Sequence, residues 1–229
     1  MPILLYDLVG RDTSRPFSPH CWKTRMSLAH KGLDFECIPT PFTAVPKVDN
    51  GTTTVPVIRD GDQLVADSFA IAEYLDATYP DRPLLFGSPD AKAMCRFVEA
   101  WSQQTIHPFL GSALLMDIHD SLDDADQVYF RTSREARMGK PLEEMPVGRD
   151  AAREAFLPRL NPLRTTFQRQ AFLGGETPNF ADYIVFGAFQ WARIISNYPI
   201  LPADDAVALW FERCLDLHGG AGRAVPAQK

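Results

Sequence analysis

The 229 residues are 45% hydrophobic and 23% charged, with a formal net charge of −6; such usage supplies one large core or two small ones. The acidic excess and the lack of any long basic run argue against a nucleic-acid or anionic-membrane surface, and no stretch approaches the roughly 18 consecutive apolar residues of a membrane span. The opening MPILLYDLVGRD has no basic n-region, which argues against a signal peptide, and four widely and irregularly spaced cysteines (Cys21, Cys37, Cys95, Cys214) fit a reducing cytoplasm better than a disulfide framework or a zinc site.

In chain order, Ile3 to Tyr6 reads as a buried strand, followed by a polar loop from Gly10 to Pro16. Ser18-Pro19 signals a helix start, Ser as N-cap and Pro in the first turn; Trp22, Met26, Ala29 and Leu33 give its apolar stripe, and Gly32 its stop. Phe35 to Ile38 reads as a second strand, with a loop through Pro39, Pro41, Pro46, Asn50 and Gly51. Val55 to Ile58 and Gln63 to Val65 flank an Asp60-Gly61 turn, the signature of a hairpin. Asp67-Ser68 opens a helix running to Tyr79, where Pro80 stops it.

The order β-α-β-β-β-α predicts a mixed sheet covered by helices over residues 1–80. Residues 81–91, with Pro83, Gly87 and Pro89, read as a linker, and helical periods dominate residues 92–229. One long helix is expected over Ala91 to Asp117, bent at Pro108 and Gly111. Asp120 to Val147 reads as irregular or partly helical. Arg149 to Phe172 reads as a helix interrupted by Pro158 and Pro162. Further helices are expected from Asn179 through Ile195 and over Ala206 to Leu217, and then a fraying tail from Gly219.

Three places carry candidate chemistry. Proline cannot donate to a ladder, so Val55-Pro56 is either an edge-strand proline or a specialised turn whose Val55 N–H and C=O pair with an extended, peptide-like ligand. Asp67-Ser68 stands at a helix N-terminus, where the pair either simply caps the helix or receives a ligand's ammonium and carboxylate. Ser18-Pro19-His20-Cys21 occupies the place where a redox protein of this topology carries Cys-x-x-Cys. A capping Ser accepts a backbone N–H and keeps its own O–H free to donate to a bound thiolate. Such a bond beside a positive helix end lowers a thiol pKa by roughly 1–2 units from about 8.5. Cys21, one turn further in, reads as a packed core thiol.

Taken together, Ser18 with Trp22-Lys23-Thr24-Arg25, His30-Lys31-Gly32-Leu33, Val55-Pro56-Val57-Ile58, Asp67-Ser68, Ala72-Glu73-Tyr74-Leu75, Tyr79-Pro80 and Pro178-Asn179-Phe180-Ala181-Asp182-Tyr183 resemble the cytosolic glutathione transferases over essentially the whole chain. Within that family, Ser-Pro-x-x-Trp-Lys-Thr-Arg and Phe-Ala-Asp-Tyr are most similar to the bacterial β-aryl-etherase branch and its fungal relatives. The resemblance implies a thioredoxin-like domain followed by an all-helical one, glutathione as co-substrate, and a homodimer. It also implies Val55 pairing with the cysteinyl part beside a cis Pro56, Asp67 and Ser68 holding the γ-glutamyl end, and Ser18 activating the thiol, with Thr13 or Ser14 as alternatives. Asp182 would close a capping box and serve folding. Lys47 is the candidate anchor for the glycyl carboxylate.

Trp101, Phe109, Leu114, Leu115, Phe186 and Phe189 are candidate walls of an electrophile pocket, although aromatic residues at helical spacing also make core. His107 and His119 are conceivable acids for a leaving phenolate, but a stabilised aryloxide needs none. The expected reaction is attack by bound glutathione on an electrophilic carbon, in the favoured case displacing an aryl oxide. The competing readings are a glutathione-dependent thiol-disulfide reductase that uses Cys21, and a non-catalytic binder of hydrophobic ligands.

Overall fold

The computed structural model describes residues 2–48 and 52–228; Asn50 and Gly51 of the expected loop lie outside them. Four strands, β1 (Ile3–Leu8), β2 (Phe35–Thr40), β3 (Val57–Asp60) and β4 (Gln63–Ala66), form one sheet in the order β2-β1-β3-β4. β1 runs parallel to β2 and antiparallel to β3, and β3 pairs antiparallel with β4. The mixed sheet is the one expected, except that β3 begins at Val57 and leaves Val55-Pro56 outside the ladder. Gly61 makes the hairpin turn at φ +56°, a left-handed conformation open to glycine.

Helix α1 (Pro19–His30) is capped by Ser18, and α2 (Ser68–Thr78) by Asp67. α1 is buried nearly all round, its polar residues Lys23, Thr24 and Ser27 included. One side covers the sheet and the other meets the long helix α9 (Phe180–Ile195), itself almost wholly buried. The buried cations are paired: Lys23 with Glu99 at 3.0 Å and Lys31 with Asp76 at 2.7 Å.

The α1–α9 contact depends on a glycine. A Cβ at Gly187 would lie 2.2 Å from the main-chain oxygen of Pro19, which cannot yield without moving α1. Overpacking of this kind costs about 1–3 kcal/mol or more, so Gly187→Ala is expected to lower the melting temperature by about 5 °C. An unchanged melting curve would show that the two helices have slack.

The remaining chain is helical; it sharpens or corrects the sequence reading in three places and agrees with it in a fourth. The expected helix over Ala91 to Asp117 is three: α3 (Pro89–Thr105), α4 (His107–Ala113) and α5 (Leu115–Ser121). The first break falls beside Pro108, which has no N–H for the preceding turn. The second falls at Leu114 rather than Gly111. The stretch read as irregular or partly helical holds a regular 15-residue helix, α6 (Asp124–Met138), capped by Asp123 and closed by Gly139 at φ +71°. It buries only Asp126 and Phe130, so its apolar period is faint. As expected, Arg149 to Phe172 is interrupted at its prolines, into α7 (Arg149–Phe156), a 3₁₀ turn and α8 (Asn161–Phe167). After α10 (Ala206–Leu215) the tail packs down instead of fraying: Gln190 and Arg193 donate to the carbonyls of Gly222 and Val225 at 2.8 and 2.7 Å, and Val225 is buried. Among the described residues no helix is long and apolar enough to cross a membrane.

Candidate active-site cleft

A cleft of about 650 Å³ opens between the sheet half and the helical half. One wall is the end of β1, the start of α1 and the segment Thr53 to Val55; the other comes from α3 to α6 and Trp191 of α9. Ser18 lies in it, buried, with its Oγ accepting the Cys21 N–H at 3.3 Å as the N-cap. That bond uses an oxygen lone pair and leaves the hydroxyl proton free. Thr13 and Ser14 are exposed and outside the cleft, and Ser14 Oγ donates to Asp12 at 2.6 Å.

Val55 lines the same cleft. The Val55-Pro56 peptide is cis, and neither the N–H nor the C=O of Val55 is hydrogen-bonded to a described residue. The Pro56 carbonyl accepts the Asp67 N–H at 3.3 Å, which fixes the start of α2 beside this segment. Asp67, at φ 76°, caps α2 by accepting the N–H groups of Phe69 and Ala70 on Oδ1, each at 2.9 Å, while its Oδ2 takes no hydrogen bond from a described residue. Asp67 is exposed and Ser68 buried; both lie just beyond the cleft lining.

Other expected residues are placed as follows. Lys47 is exposed at the end of the 3₁₀ turn Phe42–Lys47 and lies outside the cleft. Of the candidate walls only Leu115 lines it. Phe109 stacks on Phe156 with ring centres 4.4 Å apart, Phe186 meets the edge of Trp22, Phe189 packs toward Phe211, Leu114 is wholly buried, and Trp101 packs on the core. The walls are instead Phe17, Phe42, Tyr129, Phe130 and Trp191. Phe42 comes within 5.5 Å of Phe130, ring centre to ring centre, because the buried Asp126 of α6 accepts the N–H groups of Phe42 and Thr43. With α6 unrecognised, its side of the cleft was out of reach of the sequence; the Asp123 cap and the Gly139 stop were the available signals.

His119 sits outside the cleft against Asp120. His107 is inside, stacked on His20 with ring centres 5.5 Å apart. Burial, with the Lys23 charge adding to it, pulls His107 down to about 4, and burial likewise holds His20 well below the ordinary histidine range. Both are neutral at pH 7, and the buried Nε2 of His107 has no hydrogen-bond partner among the described residues. Cys21 is outside the cleft, and burial followed by the Asp7 charge pushes its thiol well up, away from the thiolate form.

Elsewhere, Tyr183 Oη bridges His30 and His218 at 2.6 and 2.8 Å, and burial lowers His30 and takes His218 down to about 4. Since these four histidines titrate lower in the folded than in the unfolded chain, the unfolded chain binds more protons between about pH 6.5 and 4. Their contribution is fully present above about pH 6.5 and is lost as pH falls toward 4. Melting temperatures measured from pH 7.5 to 4.5 are expected to drop through that window, and His107→Asn should flatten part of the drop. A curve flat to pH 4.5 would contradict the assignment.

A four-stranded mixed sheet with helices, joined to an all-helical half across a cleft, defines a thioredoxin-like domain carrying a helical partner domain. The family models agree: "Glutathione S-transferase, N-terminal domain" matches residues 17–78 and "Glutathione S-transferase, C-terminal domain" matches residues 93–205. The chain belongs to the cytosolic glutathione transferase superfamily, whose co-substrate is glutathione.

Among curated relatives, glutathione S-transferase Z2 of Arabidopsis thaliana is 30% identical over 131 residues, covering 55% of this chain and 59% of its own. The glutathione S-transferase-like protein ustS of Aspergillus flavus is 28% identical over 225 residues, covering 84% and 80%. This chain thus spans less than two thirds of the first relative's length and most of the second's. Among solved structures, glutathione transferase GSTFuA3 from Phanerochaete chrysosporium superposes with a TM-score of 0.78 at 25% identity, covering 100% of this chain and 99% of that one. CsGST63524 of Ceriporiopsis subvermispora, solved in complex with glutathione, gives 0.77 at 24% identity, covering 97% and 94%, a likeness of fold.

Proposed function

We propose that the protein is a serine-type glutathione transferase acting on hydrophobic aromatic electrophiles, with cleavage of lignin-derived β-aryl ethers as the favoured reaction. The observation that carries this reading is the meeting, in one cleft, of the Ser18 hydroxyl, whose proton the N-cap leaves free, and the main chain of Val55, which has no partner among the described residues. Glutathione lies extended along Val55 and Pro56. Its γ-glutamyl ammonium meets the free oxygen of Asp67, and its carboxylate meets the Ser68 hydroxyl and the N-terminus of α2. Ser18 donates to the sulfur and keeps it anionic.

The thiolate attacks the ether carbon, a C–S bond forms as the C–O bond breaks, and the aryloxide leaves with the electron pair to take a proton from water. The protein supplies orientation and a water-poor aromatic cleft. The buried, neutral thiol of Cys21, outside the cleft, speaks against the reductase alternative.

Calorimetry with glutathione, followed by mass spectrometry of products from glutathione and model aryl ethers, tests the reading. Binding with a glutathione thioether and a free phenol as products supports it, and no uptake of glutathione overturns it. Uptake without turnover of any electrophile would favour the non-catalytic binder.

A homodimer in a cytoplasmic setting belongs to the same proposal. Met94 and Phe97 stand 59% and 63% exposed on α3, with Leu84 exposed nearby in the chain, an apolar group of the kind that marks an interface. Sedimentation at micromolar concentration is expected to give twice the chain mass, and a monomer would remove the dimer.

A further inference from the structure

The cleft has a charge that the proposed reaction leaves unused. Among the described residues no aspartate or glutamate lines it, whereas two arginines of α6, Arg134 and Arg137, do, in a protein of net charge −6. Arg134 is half-buried, its guanidinium 4.5 Å from the ring centre of Phe130 and 5.4 Å from that of Phe42, with one polar contact among the described residues, a 2.9 Å bond to Ser133 Oγ. Neither arginine forms an ion pair with a described residue. Acids of α6 and the turn after it are taken: Glu135 and Glu143 both bind Arg131, and Asp126 holds the main chain of Phe42 and Thr43. Burial, then the like charge of Arg137, lowers the Arg134 pKa, the direction expected of a cation without a counter-ion.

An unpaired, half-buried guanidinium is costly unless a ligand completes it, and its fork matches a carboxylate. The cation also sits on an aromatic wall, so a ring laid against Phe42 and Phe130 would carry an acid substituent directly to it. Resting on the transferase reading above, we infer that the electrophile taken by this cleft is an aromatic acid, with its ring on Phe42 and Phe130 and its carboxylate held by Arg134 and Arg137. These two residues are then specificity-determining rather than catalytic. Glutathione has a carboxylate of its own at the glycyl end, and the test separates the two sources.

Two aryl chlorides that glutathione attacks with loss of chloride serve as probes: neutral 1-chloro-2,4-dinitrobenzene and anionic 4-chloro-3,5-dinitrobenzoate. Each kcat/KM is divided by the probe's uncatalysed rate with glutathione. The wild-type protein is expected to favour the anionic probe by about tenfold or more, the worth of one charge-assisted hydrogen-bonded pair. Arg137→Gln, on the exposed side and safe for folding, and Arg134→Gln should each erode that preference. Arg134→Lys should keep part of it, and the KM for glutathione should stay within about twofold. Added salt should shrink the preference in the wild type.

Equal use of both probes by the wild type, or a preference untouched by either glutamine variant, overturns the inference. So does a variant that raises the KM for glutathione equally with both probes, which would give the arginines to the glycyl carboxylate. Conversion of neither probe, with no glutathione uptake, would sink the transferase reading itself.

Discussion

Asp182→Ala should leave the chain unable to hold its fold at 37 °C. Asp182 is wholly buried at the first turn of α9, and its two oxygens accept four donors: the N–H groups of Leu173 at 2.7 Å and of Gly174 and Asn179 at 3.0 Å, and the indole N–H of Trp210 at 3.0 Å. One of these bonds is half of the capping box with Asn179. The others tie the preceding loop and α10 to the same carboxylate. A buried donor left without an acceptor costs about 1–3 kcal/mol. Four of them together rival the whole stability of an ordinary domain, about 5–15 kcal/mol. Expression into the insoluble fraction, or a melting temperature lower by more than about 15 °C, is the expected result. A soluble variant melting within about 5 °C of the parent would mean that water replaces the carboxylate.

The second large effect concerns Ser18. Under the proposed function, Ser18→Ala removes the donor to the glutathione thiolate and should lower kcat by about 10–100-fold, corresponding to a pKa rise of roughly 1–2 units for the bound thiol. The dissociation constant for glutathione should move little, because Val55 and the α2 terminus hold the peptide. The loss should be greater at pH 6.5 than at pH 9, since without the donor the sulfur ionises only toward its free pKa of about 8.5. Ser18 also caps α1, so alanine costs about 1 kcal/mol of stability. Ser18→Thr keeps both the cap and the hydroxyl and should restore much of the rate. An unchanged kcat in Ser18→Ala, with glutathione still bound, would pass the activating role to another donor.

What the sequence made legible was local chemistry. Ser18-Pro19, Asp60-Gly61, Asp67-Ser68 and Asn179 to Asp182 each fix a cap or a turn within four residues, and each stands where expected. Positions whose meaning comes from distant partners were not legible. α6 buries two side chains in fifteen residues, so its period is weak, yet it supplies Tyr129, Phe130, Arg134 and Arg137 to the cleft. Phe109 and Phe186 have the same apolar character as Phe42 and Trp191, and only the path of the helices decides which pair faces the opening. Lys47 is legible as a charge on a nearby loop, whereas the arginines that line the cleft arrive from the other half of the chain.

The contact at Gly187 bears on how such a molecule can change over generations. With the backbone of α1 seated where a side chain at position 187 of α9 would have to be, the sheet half and the helical half are closely fitted to each other at this crossing. Drift in one is admissible only where the other already matches it. New substrate preferences are therefore most cheaply acquired away from this crossing, at cleft-lining positions such as Arg137 on the exposed side of α6, where a side chain can be exchanged without either half having to move.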